Sequence, residues 1–227
     1  MLDLPYYLFT NERLEGMLDV LDIVPTDHVL AVLGSGDHAF TLLERAGSVT
    51  GVDTHSMQIA LAQYRREALR QGNFPRFLKT YEHITERKLS EEELLGIKLG
   101  LSSDPIDRED LHNIDARNAY FMESGRLQAI RDHLDNLTLI EGDIFALPEQ
   151  EYAKATKVYL SNCLMWIQGG LERMVRNLPR GALIYSAETD MIKHLLHNHP
   201  LISLDQPRTE AARPHQEIFH PSVWVRK

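Results

Sequence analysis

Two acids at the ends of apolar runs are the residues best placed to do chemistry. Asp53 closes Ser48-Val-Thr-Gly-Val52, and Asp143 follows Leu137-Thr-Leu-Ile140 by way of Glu141-Gly142. Ahead of Asp53 stands Gly34-Ser-Gly-Asp-His-Ala39, which fits the spacing G-x-G-x-x-A. Glycine at such positions lets the chain turn sharply and lets a ligand approach its backbone. An acid at the end of the next strand can accept hydrogen bonds from both hydroxyls of a ribose. Together these residues point to a ligand that carries a nucleoside. The plain alternative is a structural turn in which Asp37, or Asp143, only caps a helix.

Two classes of cofactor use this geometry. A nicotinamide or flavin dinucleotide lays its pyrophosphate on the helix N-terminus. S-adenosylmethionine has no phosphate; its amino-carboxypropyl arm lies near the glycines and its adenine beside the third strand. Asp143 suits the second class, with its carboxylate accepting from the adenine amino group and Ile144 packing on the ring. S-adenosylmethionine is therefore the expected cofactor.

The elements that must position these residues alternate between two periods. Leu14 to Ile23 repeats apolar residues at helical spacing until Pro25. His28-Val-Leu-Ala-Val-Leu33 is a short apolar run of the kind buried on both faces of a parallel sheet. Ala39 to Arg45 reads as a helix, Ser48 to Val52 as a strand, and Ser56 to Gln71 as an amphipathic helix. Residues 74–125 are rich in charge, show no clear strand, and read as a helical insertion covering the active site. Ser124 to His133 is helical, followed by strands at Leu137–Ile140 and Val158–Leu160. Gly170 to Leu178 is helical, and Gly181–Tyr185 and Ser222–Val225 are extended. Strands alternating with helices imply an α/β fold, a mostly parallel Rossmann-like sheet with helices on both faces.

Bulk properties narrow the partners. The 227 residues suit one α/β domain with a modest insertion. A net charge of −9 opposes nucleic-acid phosphates. The single cysteine, Cys163, fits a reducing compartment. No secretory leader or apolar run of membrane-spanning length is visible, so the cytoplasm is the expected location. The eleven histidines read as scattered surface residues, and no metal is expected. The expected partners are a small-molecule substrate and a second copy of the chain, without nucleic acid or a membrane span.

Several patches carry a resemblance. Asn11-Glu-Arg-Leu-Glu15, the run Pro25 to Ala39, Val52-Asp-Thr-His-Ser-Met-Gln58, Phe121-Met-Glu-Ser-Gly-Arg126 and Leu160-Ser-Asn162 stand in this order. Together they resemble the S-adenosylmethionine 3-amino-3-carboxypropyltransferases of betaine-lipid synthesis, over roughly residues 11–165. The resemblance implies a class I methyltransferase fold and attack on the γ-carbon of the aminocarboxypropyl arm, with release of methylthioadenosine. His38 and His55 stand where that family carries Asn. The chain is also shorter than members acting on diacylglycerol, so a small acceptor is expected. Alternatively the arm's own amine closes a ring to azetidine-2-carboxylate. An ordinary small-molecule methyltransferase is the competing enzyme reading.

The expected cofactor-binding set is Gly34, Ser35, Gly36, Asp37, Asp53, Thr54, Gln58, Asp143 and Ile144. Tyr120, Ser161 and Asn162 are expected to be catalytic. Ser161 and Asn162 follow the fourth strand, where open α/β sheets place ligands, and could position the nucleophile or the arm's amine. Tyr120, ahead of Tyr6, Tyr7 and Trp166, is the aromatic expected to face the sulfonium. Tyr6, Tyr7, Ser124 and Arg126 form the expected substrate-binding group. Glu188 and Asp190 follow the fifth strand at the same edge and could hold an amine.

Overall fold

The computed structural model describes residues 7, 9–10, 12–79, 116–165, 169–188, 196–215 and 220–227. Seven strands form one sheet: β1 His28–Val32, β2 Ser48–Asp53, β3 Leu137–Glu141, β4 Lys157–Tyr159, β5 Leu183–Glu188, β6 Ile202–Leu204 and β7 His220–Arg226. Their order is β3-β2-β1-β4-β5-β7-β6. The first five are parallel, and β7 runs antiparallel to both β5 and β6. A Rossmann-like parallel half extended by an antiparallel seventh strand is the class I methyltransferase fold.

The central strands are apolar because both faces are covered. Val29 and Ala31 pack on one side with Phe40, Ala62 and Ile130 from the helices Asp37–Leu43, Ser56–Arg70 and Arg126–Asp132. Leu30 and Val158 pack on the other with Tyr152 and Met174 from Glu149–Lys154 and Leu171–Asn177. Each valine, leucine, isoleucine, phenylalanine and methionine among them, removed wholly from water, contributes about 1.5–3 kcal/mol. The alternation along β1 therefore serves two cores rather than a core and a wet face.

Several bounds differ from the expectation. The helix expected over Leu14 to Ile23 is reduced to Met17–Val20. Gly16, at φ 76°, starts it, and Asp22, at φ 51°, follows its end; both are left-handed and cannot continue a right-handed helix. The fifth strand starts at Leu183 rather than Gly181, because Gly181 turns at φ 83°. The strand Ile202–Leu204 and the helices Glu149–Lys154 and Gln206–Ala212 are additional. Of the expected insertion, Phe74–Leu78 is helical, as is the stretch 116–122. Residues 80–115 lie outside the described residues. Among the described residues no helix is long and apolar enough to cross a membrane.

Candidate functional site

The strand order reverses between β1 and β4, so their outgoing connections part and leave a crevice at the carboxyl edge. A cavity of about 650 Å³ lies there. That is within the roughly 300–1,000 Å³ usual for small-molecule sites. The ends of β1, β2 and β4 and the turn after β3 line it, and the N-terminal segment around residues 7–12 closes one side.

At the β2 end the cavity is built around Asp53. Its Oδ2 accepts from the Gly34 amide at 3.0 Å and its Oδ1 from the His55 amide at 2.9 Å. These bonds lock the carboxylate to the glycine turn and leave lone pairs on both oxygens for a diol. Burial raises the Asp53 pKa despite these bonds. Gly34 turns at φ 50° and Gly36 at φ 86°, the left-handed conformation that favours glycine. Thr54, Asp143 and Ile144 line the same end. Asp143 Oδ1 also accepts from the Phe145 amide at 2.8 Å, so this residue caps its turn as well as facing the cavity.

The β4 end holds a cluster in which Ser161 was expected and Glu12, Tyr159 and His38 were not. Glu12 is 5% exposed. Its Oε2 accepts from the Tyr159 hydroxyl at 2.7 Å, and its Oε1 accepts from Ser161 Oγ. Ser161 is held at φ 52°, an uncommon and strained conformation for a side chain larger than glycine. Burial pushes the Glu12 carboxyl up to about 7, although both hydroxyls favour its charged form. His38 stacks on Tyr159 with ring centroids 4.5 Å apart. Burial holds its imidazole down to about 4, and its buried Nε2 has no hydrogen-bond partner among the described residues. Asn162 and Cys163 complete this end.

Of the residues expected from sequence, Gly34, Ser35, Asp53, Thr54, Asp143, Ile144, Ser161, Asn162 and Tyr7 line the cavity. Others do not, and their roles differ. Asp37 is wholly buried and is a structural anchor, not a lining residue. Its Oδ1 receives Arg117 Nε at 2.7 Å and Arg65 Nη1 at 3.1 Å, while its Oδ2 receives the Thr10 amide and Ser35 Oγ. Gly36 turns into the helix behind the lining residues. Gln58 is buried and bridges the glycine turn to the N-terminal segment, donating to the carbonyls of Gly34 and Tyr7 and accepting from the Tyr7 amide.

The largest correction concerns Tyr120, expected as catalytic. It is not among the cavity's lining residues. Its ring lies under the Arg126 guanidinium at 3.6 Å, and its hydroxyl donates to Glu44 at 3.2 Å. Arg126 pairs with Glu44 and Glu123, and Ser124 is exposed on the same outer turn. Proximity in sequence to the Phe121–Arg126 patch brought these residues together, but around a largely buried ion cluster away from the cavity. Tyr6, Trp166 and Asp190 lie outside the described residues, and Glu188 is placed only by its backbone, paired with His220.

The lining has a one-sided charge. Three carboxylates, Glu12, Asp53 and Asp143, face the cavity, and among its described lining residues there is no lysine or arginine. Such a wall favours a cationic ligand and repels phosphates. The only sign of Glu12 in the sequence is its place within Asn11–Glu15. Its role depends on partners 147 and 149 residues away.

No family model matches the sequence, and no curated protein does. Solved structures of similar shape include methyltransferases at low identity. An RNA methyltransferase from Salinibacter ruber, crystallised with S-adenosyl-L-homocysteine, is 13% identical, with 93% of this chain and 88% of that chain covered and a TM-score of 0.45. A methyltransferase from Geobacter sulfurreducens is 12% identical over 96% and 82%, with a TM-score of 0.49. A tRNA (m1A58) methyltransferase from Aquifex aeolicus is 13% identical over 94% and 68%, with a TM-score of 0.47.

Proposed function

We propose that the chain binds S-adenosylmethionine in this cavity and directs a nucleophile to the γ-carbon of its aminocarboxypropyl arm, releasing methylthioadenosine. The observation that carries the cofactor is the acidic lining at the carboxyl edge, with no lysine or arginine among its described residues and with Asp53 anchored to Gly34. A sulfonium with an ammonium group complements three carboxylates. A dinucleotide would set its pyrophosphate against them with no lysine or arginine in the described lining to meet it. The size fits one nucleoside-bearing ligand.

Asp53 holds the ribose, Asp143 and Ile144 the adenine, and the backbone at Gly34 and Ser35 faces the arm. The bound sulfonium supplies an electrophilic carbon whose bond to sulfur breaks as a neutral thioether leaves. The protein's part is alignment, worth up to roughly 7–11 kcal/mol. The choice of the γ-carbon rests on the resemblance of residues 11–165, and the acceptor is a small molecule or the arm's own amine.

The test is product analysis. The protein is incubated with S-adenosylmethionine alone and with a panel of small amines, and nucleoside products are identified by mass spectrometry. Methylthioadenosine is the expected product; with no added acceptor, azetidine-2-carboxylate beside it identifies ring closure. S-adenosylhomocysteine in its place makes the chain a methyltransferase and overturns the γ-carbon reading. Thermal stabilisation by a nicotinamide dinucleotide and not by S-adenosylmethionine overturns the cofactor.

A further inference from the structure

We propose that Glu12 takes the proton from a primary ammonium group of the substrate, so that the nucleophile in this cavity is an amine; this rests on the γ-carbon reading above. Two hydroxyls on β4 and its following turn fix the carboxylate, and the left-handed Ser161 aims one of them. Among the described residues no lysine, arginine or histidine lies within salt-bridge distance of it, and an ammonium group entering with the ligand would supply the opposing charge. The other two carboxylates of the lining have their own parts in the reading above, Asp53 at the ribose and Asp143 at the adenine, so Glu12 at the β4 end is the one left for the amine. His38 is held neutral by burial down to about 4, too weak a base for an ammonium group.

In the step, the N–H bond breaks and its proton passes to a Glu12 carboxylate oxygen. The freed nitrogen pair forms the new N–C bond at the γ-carbon. The C–S pair departs with sulfur, so the sulfonium's charge ends on the alkylated nitrogen and the thioether leaves neutral. No oxidant or further reactant is required.

Among the described residues, the groups that face Glu12 are Tyr159 and Ser161, with Thr10 on its own segment, His38 stacked on Tyr159 and Tyr185 of β5 stacked on the same ring. Burial raises the Tyr159 phenol well above its ordinary value, and His38 is neutral down to about 4. A titration near neutrality in this cluster therefore belongs to Glu12, whose carboxyl is pushed up to about 7.

The test compares wild type, Glu12→Gln and Glu12→Asp. Calorimetry with S-adenosylhomocysteine, which keeps the amine and lacks the sulfonium, is run at pH 7 in buffers of different ionisation enthalpy. Wild type should release part of a proton on binding, and Glu12→Gln should bind within about fivefold but release none. Methylthioadenosine formation should fall by about 10²–10⁴-fold in Glu12→Gln, the usual worth of a general base. The rise of kcat/KM with pH through about 7 should disappear with it, and Glu12→Asp should restore part of both. Glu12→Gln that turns over within threefold of wild type with that limb intact overturns the proposal. A Glu12→Gln protein that only binds more weakly and turns over at the wild-type rate with saturating ligand overturns it too, since Glu12 would then be a binding group alone. If Glu12→Gln does not fold, Glu12→Asp is read directly against wild type, and turnover and pH limb both unchanged overturn the proposal. Wild type that yields only S-adenosylhomocysteine overturns the γ-carbon reading, and this proposal with it.

Discussion

Asp37→Asn keeps the shape of the side chain that opens the helix Asp37–Leu43 and removes its charge. In the native protein that carboxylate is the shared acceptor for two guanidiniums, with side-chain exposures of 0% for Asp37, 0% for Arg65 and 1% for Arg117. Burial alone would raise its pKa, but the guanidiniums of Arg117 and Arg65 outweigh that and hold it below the usual value. Removing one partner of a buried ion pair costs about 3–5 kcal/mol, because the remaining charge is stranded. Here two charges are stranded, so the upper part of that range applies. For a chain of this size that upper part, about 4–5 kcal/mol, corresponds to roughly 8–20 °C in Tm. Arg117→Met is the informative contrast. It leaves one carboxylate facing one guanidinium, and its new side chain sits among Phe9, Phe77 and Phe121. Burial, with Arg117 nearby, has already pushed Arg65 down to about 9, so this change should cost less than about 2 kcal/mol. Thermal unfolding followed by circular dichroism at pH 7.5 ranks the three proteins. The Asp37→Asn deficit should be complete above pH 3.8, the ordinary carboxyl value, and shrink as the pH falls through the lowered folded value. An Asp37→Asn protein within 1 °C of wild type, or an Arg117→Met protein less stable than it, would refute this account of the cluster.

Asp53→Ala should weaken S-adenosylmethionine binding by at least about 100-fold in calorimetry, since two hydrogen bonds to a charged acceptor are worth about 1.5–3 kcal/mol each. Tyr120→Phe should lower stability by about 1 kcal/mol through loss of the Glu44 bond and leave turnover within twofold of wild type. Glu12→Gln has a pH signature in the free protein. Between about 4.5 and about 7 the folded wild type holds a proton that the unfolded chain has released, so its stability falls as pH rises across that window. The full cost above pH 7 is up to ~3 kcal/mol; urea unfolding should find Glu12→Gln the more stable protein at pH 8 and no more stable at pH 4.

The parallel half of the fold was legible because its strands are apolar on both faces and bounded by glycine. His28–Leu33 and Ser48–Asp53 appear with bounds within one residue of those expected. The short Ile202–Leu204 strand was not legible, since three residues carry no period and it exists through pairing with β7. The glycine turn with Asp53 could be read because all its parts are local in sequence. Glu12 could not, because the patch Asn11–Glu15 gives it no role, and its partners lie on β4 and the turn that follows. Asp37 and Tyr120 were misplaced for a related reason. A residue's position in a strand–turn–helix unit fixes its neighbourhood, whereas a buried guanidinium or a half-buried carboxylate decides which way its side chain is used.

The segment from Tyr7 to Glu12 is fastened at three points, to Gln58, to Asp37, and to Tyr159 with Ser161. The first two partners lie within 51 residues, the last two 147 and 149 residues downstream. A ribosome therefore releases this stretch long before its final partners exist. Closing so long a loop is entropically slow compared with the local pairing of β1 and β2. During refolding, secondary structure should recover first and the ligand-binding signal later, with the wall bearing Glu12 the last part of the cavity to arrive.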